Sequence, residues 1–156
     1  GDDPAPSLPA MASLANGGQV LAWYTGRADA GEGRVAARLI AADGTAGPRV
    51  AVPTGPLGIP AAPAVAGLDD GSFVVSWLSA RIEGRLVSRE LRAQGYDAAG
   101  AALRSVQSLG SSQLDVSVRG ATCACNALAG TQEGGFALAM QGYGAATSWD
   151  VWVGRR

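Results

Sequence analysis

The chain contains no histidine and no lysine, so all 12 of its basic residues are arginines. Without these two residue types there is no imidazole metal ligand, no Ser-His-Asp or Cys-His centre and no Schiff-base lysine. Charge is also scarce, because charged residues make up 16% of the 156 residues and the formal net charge is −1. A nucleic-acid-binding surface is basic, so this balance argues against nucleic acid as a partner. We therefore expect a protein that is not an enzyme and that holds no metal and no cofactor.

Large apolar side chains are few. Hydrophobic residues make up 47% of the chain, but 31 of them are alanine, and 23 further residues are glycine. No run of 18 apolar residues is present, which argues against a membrane span. The length suits one domain or a few small repeats.

A repeated strand-turn-strand pattern is the most informative feature of the sequence. Residues 9–23, 63–77 and 126–140 align without a gap. The same position in each segment carries a turn signal, because glycine readily adopts the positive φ that tight hairpins need. These three turn signals are Asn16-Gly17, Asp70-Gly71 and Glu133-Gly134.

After each turn, large and small side chains alternate with a period of two. Leu21 and Trp23 share one face with Gln19, whereas Val20 and Ala22 share the other face. Neither face carries a charge, which is typical of a strand that is covered on both sides. Large faces opposite small faces allow stacked sheets to interdigitate.

A second shared block follows the first two hairpins and predicts a third and a fourth strand. In the first repeat the fourth strand is expected at 49–52, and in the second at 103–106. In the third repeat, residues 148–156 would form only the third strand. We therefore expect a tether over 1–7, repeats over 8–60 and 61–115, and an incomplete repeat over 116–156.

Four-stranded antiparallel units that repeat and are covered on both faces predict an all-β fold of β-propeller-type blades. The segment from Pro63 to Trp77 also resembles the tandem repeats of large bacterial secreted and surface proteins, of the form Pro-Ala-Val-Ala-x-Leu-x-x-Gly-x-Phe-Val-Val-x-Trp. That resemblance implies blade architecture. Three blades do not close a ring, so we expect another chain or further blades to complete the third repeat, with a homo-oligomer as one form of this assembly.

The leading functional prediction is a non-catalytic binding or scaffold module of a bacterial cell-envelope or secreted protein, with a carbohydrate or a protein surface as its ligand. One alternative is a structural subunit that assembles by edge-strand pairing into an oligomer or a larger propeller. A fragment of a glycan-active enzyme is a third alternative, which the missing histidine and lysine disfavour.

Candidate ligand-binding residues are aromatic or basic side chains outside the strict repeat. Amphipathic aromatic rings offer a large contact area with one polar end, and arginine binds acidic groups. Trp23 and Trp77 occupy equivalent repeat positions, and packing between blades is the simpler role for them. The candidates are Trp149, Trp152, Tyr143, Tyr24 and Arg85.

Two further patterns leave alternatives open. Asp43, Asp69, Asp70 and Asp97 lie at turns, where they would accept hydrogen bonds from their own backbone or hold a calcium ion. The arginines between residues 81 and 92 are spaced for either a helix or a long strand pair, and we favour the strand pair.

The cysteines and the first residues bear on the compartment. Cys123 and Cys125 could form a strained disulfide across one residue, remain two thiols, or share a metal with a partner. Residues 1–7 resemble the segment that follows the lipid-bearing cysteine of bacterial lipoproteins, which implies an extracytoplasmic, lipid-anchored protein.

Overall fold

A computed structural model describes residues 7–26, 33–54, 63–115, 126–131, 135–143 and 149–155. The described strands form three antiparallel sheets, each built from strands that are consecutive in the chain. The first sheet contains β1 (Ser7–Ser13), β2 (Gln19–Thr25), β3 (Arg34–Ile40) and β4 (Ala46–Val50). The second contains β5 (Ala64–Gly67), β6 (Phe73–Glu83), β7 (Leu86–Tyr96) and β8 (Gln107–Asp115). The third contains β9 (Asn126–Gly130), β10 (Phe136–Tyr143) and β11 (Trp149–Arg155). The predicted all-β class and the four-stranded antiparallel unit are confirmed.

The hairpin turns have the chemistry that the sequence predicts. Gly17, Gly44 and Gly71 adopt φ values of 81°, 83° and 83°. Just before each glycine, a side-chain oxygen accepts a hydrogen bond from the amide two residues further along. These oxygens belong to Asn16, Asp43 and Asp70, and Asp97 makes the same kind of bond to the amides of Ala99 and Ala101. The turn role of these acids is therefore what the structure shows, while Glu133-Gly134 lies outside the described residues.

The long strand pair between Phe73 and Tyr96 is also confirmed. Residues 73–83 pair with 86–96 without interruption, so Arg81, Arg89 and Arg92 lie on strands, Arg85 lies in the turn between them, and none lies on a helix. Strands are favoured because the two segments bury alternating residues against two neighbouring sheets.

The predicted fourth strand of the second repeat was wrong in position. It was expected at 103–106, but β8 begins at Gln107. Ala102 forms an isolated bridge with Tyr96, and the Leu103 amide then donates to the Gly95 carbonyl. The Gln94 side-chain amide also donates to the Arg104 carbonyl at 2.7 Å. Because these bonds hold residues 103–106 across the end of β7, the regular ladder starts only afterwards.

The three sheets stack with the second sheet in the middle. One hydrophobic core lies between the first and second sheets and includes Val20, Tyr24, Phe73 and Trp77. A smaller core joins Leu78 and Leu91 of the second sheet to Leu138 of the third. The Phe73 and Tyr96 rings stack across β6 and β7 with centroids 5.1 Å apart. The scarce large residues are therefore concentrated where sheets meet.

Neighbouring sheets approach most closely at glycines that hold one repeat position. A Cβ built on Gly67 would lie 2.0 Å from the carbonyl oxygen of Ser13, and one on Gly130 would lie 2.3 Å from that of Gly67. Real Cβ atoms do not come this near to backbone oxygen. Ser13, Gly67 and Gly130 are equivalent in the gapless alignment, so both interfaces use the same contact between first strands.

Candidate functional site

The aromatic candidates of the third repeat lie on one strand pair. β10 and β11 are antiparallel, with Tyr143 directly opposite Trp149 and Met140 opposite Trp152. The register therefore brings three of the predicted binding residues onto neighbouring backbone segments. Directly opposite residues of an antiparallel pair have Cα atoms about 4.5–5.5 Å apart.

Tyr24 is placed in the core and not on a binding surface. Its side chain is 2% exposed and packs in the hydrophobic core between the first two sheets. The ring occupies space above Gly33, where a Cβ would fall 1.7 Å from the Tyr24 hydroxyl. That hydroxyl has no hydrogen-bond partner among the described residues, and burial raises the pKa of Tyr24. Surface recognition by Tyr24 is therefore excluded, because even-numbered residues of β2 point between the sheets.

Arg85 lies in the two-residue turn that joins β6 to β7. It is exposed and follows Gly84, whose φ is 62°. The turn stands at the far end of the longest hairpin, where β6 and β7 extend beyond the core residues. Arg85 is accessible to an acidic partner, but it does not lie on the strand pair that carries Trp149 and Trp152.

The two repeat tryptophans have different environments. Trp77 is fully buried within β6 and faces the first sheet, which agrees with packing between blades. Trp23, at the equivalent position of β2, is only half-buried and lies on the opposite side of the first sheet from that core. The indole nitrogen of Trp77 is buried without a hydrogen-bond partner among the described residues.

A cleft of about 290 Å³ opens between the second and third sheets. Its volume lies at the lower limit of the range typical of small-molecule sites. The β5–β6 turn, β7, the segment before β8 and the start of β10 form its walls. Its apolar residues include Leu68, Val74, Leu103 and Phe136, and its polar residues are Asp70, Ser72, Arg104 and Gln107.

Some polar groups of the cleft make hydrogen bonds that stabilise the β5–β6 turn. The Asp70 carboxylate accepts hydrogen bonds from the Ser72 hydroxyl and amide, and these bonds lower the pKa of Asp70. The Asp70 carboxylate is a poor base for the Ser72 hydroxyl, because a lowered pKa weakens its affinity for the proton. An acidic, a basic and an amide residue therefore line the cleft together with Ser72.

This cleft was not predicted from the sequence. Leu103 and Arg104 were assigned to a strand, but the bonds from Leu103 to Gly95 and from Gln94 to Arg104 turn this segment against the β7 end. The two repeats differ in spacing, because the glycine turn lies 21 residues beyond Trp23 in the first repeat and 23 beyond Trp77 in the second. That difference concerns the segment before the turn and does not predict where β8 begins after Gly100.

Other features expected of chemical sites can be tested only over part of the chain. Within the described ranges, no group of three or more cysteine, aspartate or glutamate side chains could hold a metal ion. The same ranges contain no helix that is long and apolar enough to cross a membrane. Cys123 and Cys125 lie outside the described residues. Comparison with protein-family models, with curated proteins and with solved structures finds no match to this chain.

Proposed function

We propose that this chain is a non-catalytic binding or scaffold module made of β-propeller-type blades, from an extracytoplasmic bacterial protein. The observation that carries the proposal is the shared contact at Gly67 and Gly130, by which successive sheets stack in the same way. The first strands β1, β5 and β9 lie next to each other in series. In a propeller the first strand of each blade lies nearest the axis, so this series supports blade-type packing.

The distribution of residue types supports binding in preference to catalysis. Most of the large apolar side chains of the described residues are buried between sheets, and Asp43 and Asp70 are engaged with their own turn backbones. The exposed turn of Arg85 remains for recognition, and the β10–β11 pair that carries Trp149 is the second element proposed for it. We propose a carbohydrate or a protein surface as the ligand, because aromatic rings and arginine suit both.

A glycan array probed with the labelled full chain tests this function. Binding should be abolished in a variant that combines Trp149→Ala with Trp152→Ala, and weakened in Arg85→Ala. Arg49→Ala is the matched control, since Arg49 is an exposed arginine on β4 of the first sheet, away from the candidate binding strands. Absence of binding to glycans and to candidate surface proteins would contradict the proposal. Turnover of a glycan by the wild-type chain would replace it with the enzyme alternative.

A further inference from the structure

In the first hairpin of each described sheet, the residues next to the turn alternate, with larger side chains on one face and smaller ones on the other; Tyr24 and Leu78 lie further along the small faces. The large faces carry Met11, Leu21 and Trp23 in the first sheet, Val65, Phe73, Val75 and Trp77 in the second, and Leu128, Phe136 and Leu138 in the third. The small faces carry Ala10, Ala12, Val20 and Ala22, then Ala64, Ala66, Val74 and Ser76, then Ala127, Ala129, Ala137 and Ala139. These sets follow from the registers of the first hairpin in each sheet.

Both internal interfaces pair a large face with the small face of the preceding sheet. Phe73, Val75 and Trp77 are fully buried in the core that includes Val20 and Ala22. Leu138 packs in turn against Leu78, on the face of the second sheet that carries Val74. The interface is therefore directional: every sheet receives its successor on its small face.

The stack leaves one face of each kind without a sheet partner among the described strands. On the large face of the first sheet, Met11 is 60% exposed and Ser13 is exposed, whereas the equivalent Val65 and Gly67 lie against β1. On the small face of the third sheet, Ala127 and Ala129 are exposed, whereas the equivalent Ala64 and Ala66 are buried. These two faces match each other as the internal pairs do.

We propose that the alanine face of the third sheet (Ala127, Ala129, Ala137 and Ala139) binds the large face of the first sheet in a second copy of this chain. The partner is a second copy because the contact continues the two internal interfaces with the same residue types on each side. A heterologous contact of this kind builds a ring if it closes and a filament if it does not. This proposal extends the scaffold role proposed above and depends on the stacking of the sheets, not on any ligand.

Ser13 limits the strength of this contact. At both internal interfaces the incoming position is glycine, and a Cβ there would meet a carbonyl oxygen at 2.0 or 2.3 Å. Ser13 holds the same position on the free large face and carries a Cβ. Within the chain, the Ser13 and Gly67 carbonyl oxygens lie close to the glycine of the following sheet. The Gly130 carbonyl oxygen of a second copy could not come equally close to Ser13, because it would meet the Ser13 Cβ. The two copies must therefore sit slightly apart, and their association is weaker than the packing within the chain.

Analytical ultracentrifugation of the full chain over a wide concentration range tests the proposal. The wild-type chain should associate as concentration rises, and Ser13→Gly should associate at a concentration about tenfold lower, because relief of one steric overlap is worth that much. Met11→Asp and Ala127→Arg should each remain monomeric, because each blocks one of the two faces. Ala99→Arg, in the exposed turn before β8, is the control for added charge and should behave as wild type.

Mixing the two blocked variants gives the sharpest outcome. Met11→Asp retains its alanine face and Ala127→Arg retains its large face, so an equimolar mixture should form one-to-one dimers and nothing larger. The proposal is overturned if Ala127→Arg alone associates as strongly as wild type, which would indicate large-face or edge-strand pairing. It is also overturned if both wild type and Ser13→Gly stay monomeric at every concentration. Circular dichroism of each variant checks folding, and the glycan array reports separately on ligand binding.

Discussion

Replacing Gly67 with alanine tests whether the first two sheets really meet at this residue. The added Cβ would lie 2.0 Å from the Ser13 carbonyl oxygen, 3.1 Å from the Ser13 carbonyl carbon and 3.4 Å from a Leu14 methyl group. Ordinary contact between such heavy atoms begins at about 3.5 Å, so β5 would have to move from β1 by about 1.5 Å. Backbone atoms lie on both sides of the contact, so no side-chain rotation can relieve it.

The expected loss of stability follows from two opposing effects. Overpacking of this kind costs about 1–3 kcal/mol. Replacing glycine by alanine also restricts the unfolded chain, which returns about 0.4–1 kcal/mol. The net prediction is a decrease in the free energy of unfolding of up to about 2.6 kcal/mol, with a midpoint of about 1.3 kcal/mol. The midpoint corresponds to a decrease of about 3–5 °C in the melting temperature of a protein of this size.

Urea and thermal unfolding, followed by circular dichroism, measure this change against a matched variant. Gly110→Ala, in β8, is the control because no heavy atom lies within 4 Å of a Cβ built there. It should leave stability unchanged or raise it by up to about 1 kcal/mol. If Gly67→Ala is as stable as Gly110→Ala, the two first strands are not in contact and the proposed stacking is wrong.

Substitutions at three further positions test other parts of the fold. Tyr24→Phe should raise the free energy of unfolding by about 1 kcal/mol, because it removes a buried hydroxyl without a partner among the described residues. Tyr96→Phe should lower the free energy of unfolding by about 1 kcal/mol, because the Tyr96 hydroxyl donates to the Ala51 carbonyl. Burial raises the pKa of Tyr96 from 10.0 to about 12. The stability of the wild-type chain should therefore be full below pH 10 and fall as the pH rises from 10 to 12. Urea titrations at each pH should show a shallower fall in Tyr96→Phe. Asp70→Ala should lower the urea midpoint more than Asp70→Asn, because an amide oxygen can still accept from the Ser72 amide; equal losses would show that the hydrogen bond is unimportant.

The sequence predicted the repeating part of the fold because that part obeys local rules. Positive φ at Gly17 and Gly71, and the period of two after each turn, follow from backbone sterics and from coverage of both faces. The alternation predicted that Val20 and Ala22 share a face, and the register confirms it. The positions at which the sheets touch are equivalent in the gapless alignment, but no sequence pattern identified them as contacts.

The misassigned parts depend on contacts between distant residues. The start of β8 depends on the hydrogen bond from the Gln94 side chain to the Arg104 carbonyl, and no local sequence pattern predicts that bond. Tyr24 was expected at the surface because it follows the strict repeat, but one more residue of alternation places it on the inner face. Gly33 leaves room for the Tyr24 ring, and the two residues come together only when β2 pairs with β3.

The central claim is that successive repeats stack through one shared contact between their first strands. Nuclear Overhauser spectroscopy on the methyl-labelled chain tests it most directly, because a Cβ on Gly67 would lie 3.4 Å from a Leu14 methyl carbon and one on Gly130 would lie 3.3 Å from a Leu68 methyl carbon. The account predicts strong cross-peaks from the Gly67 α-protons to Leu14 and from the Gly130 α-protons to Leu68. Absence of both cross-peaks in a chain with assigned glycines and leucines would contradict it.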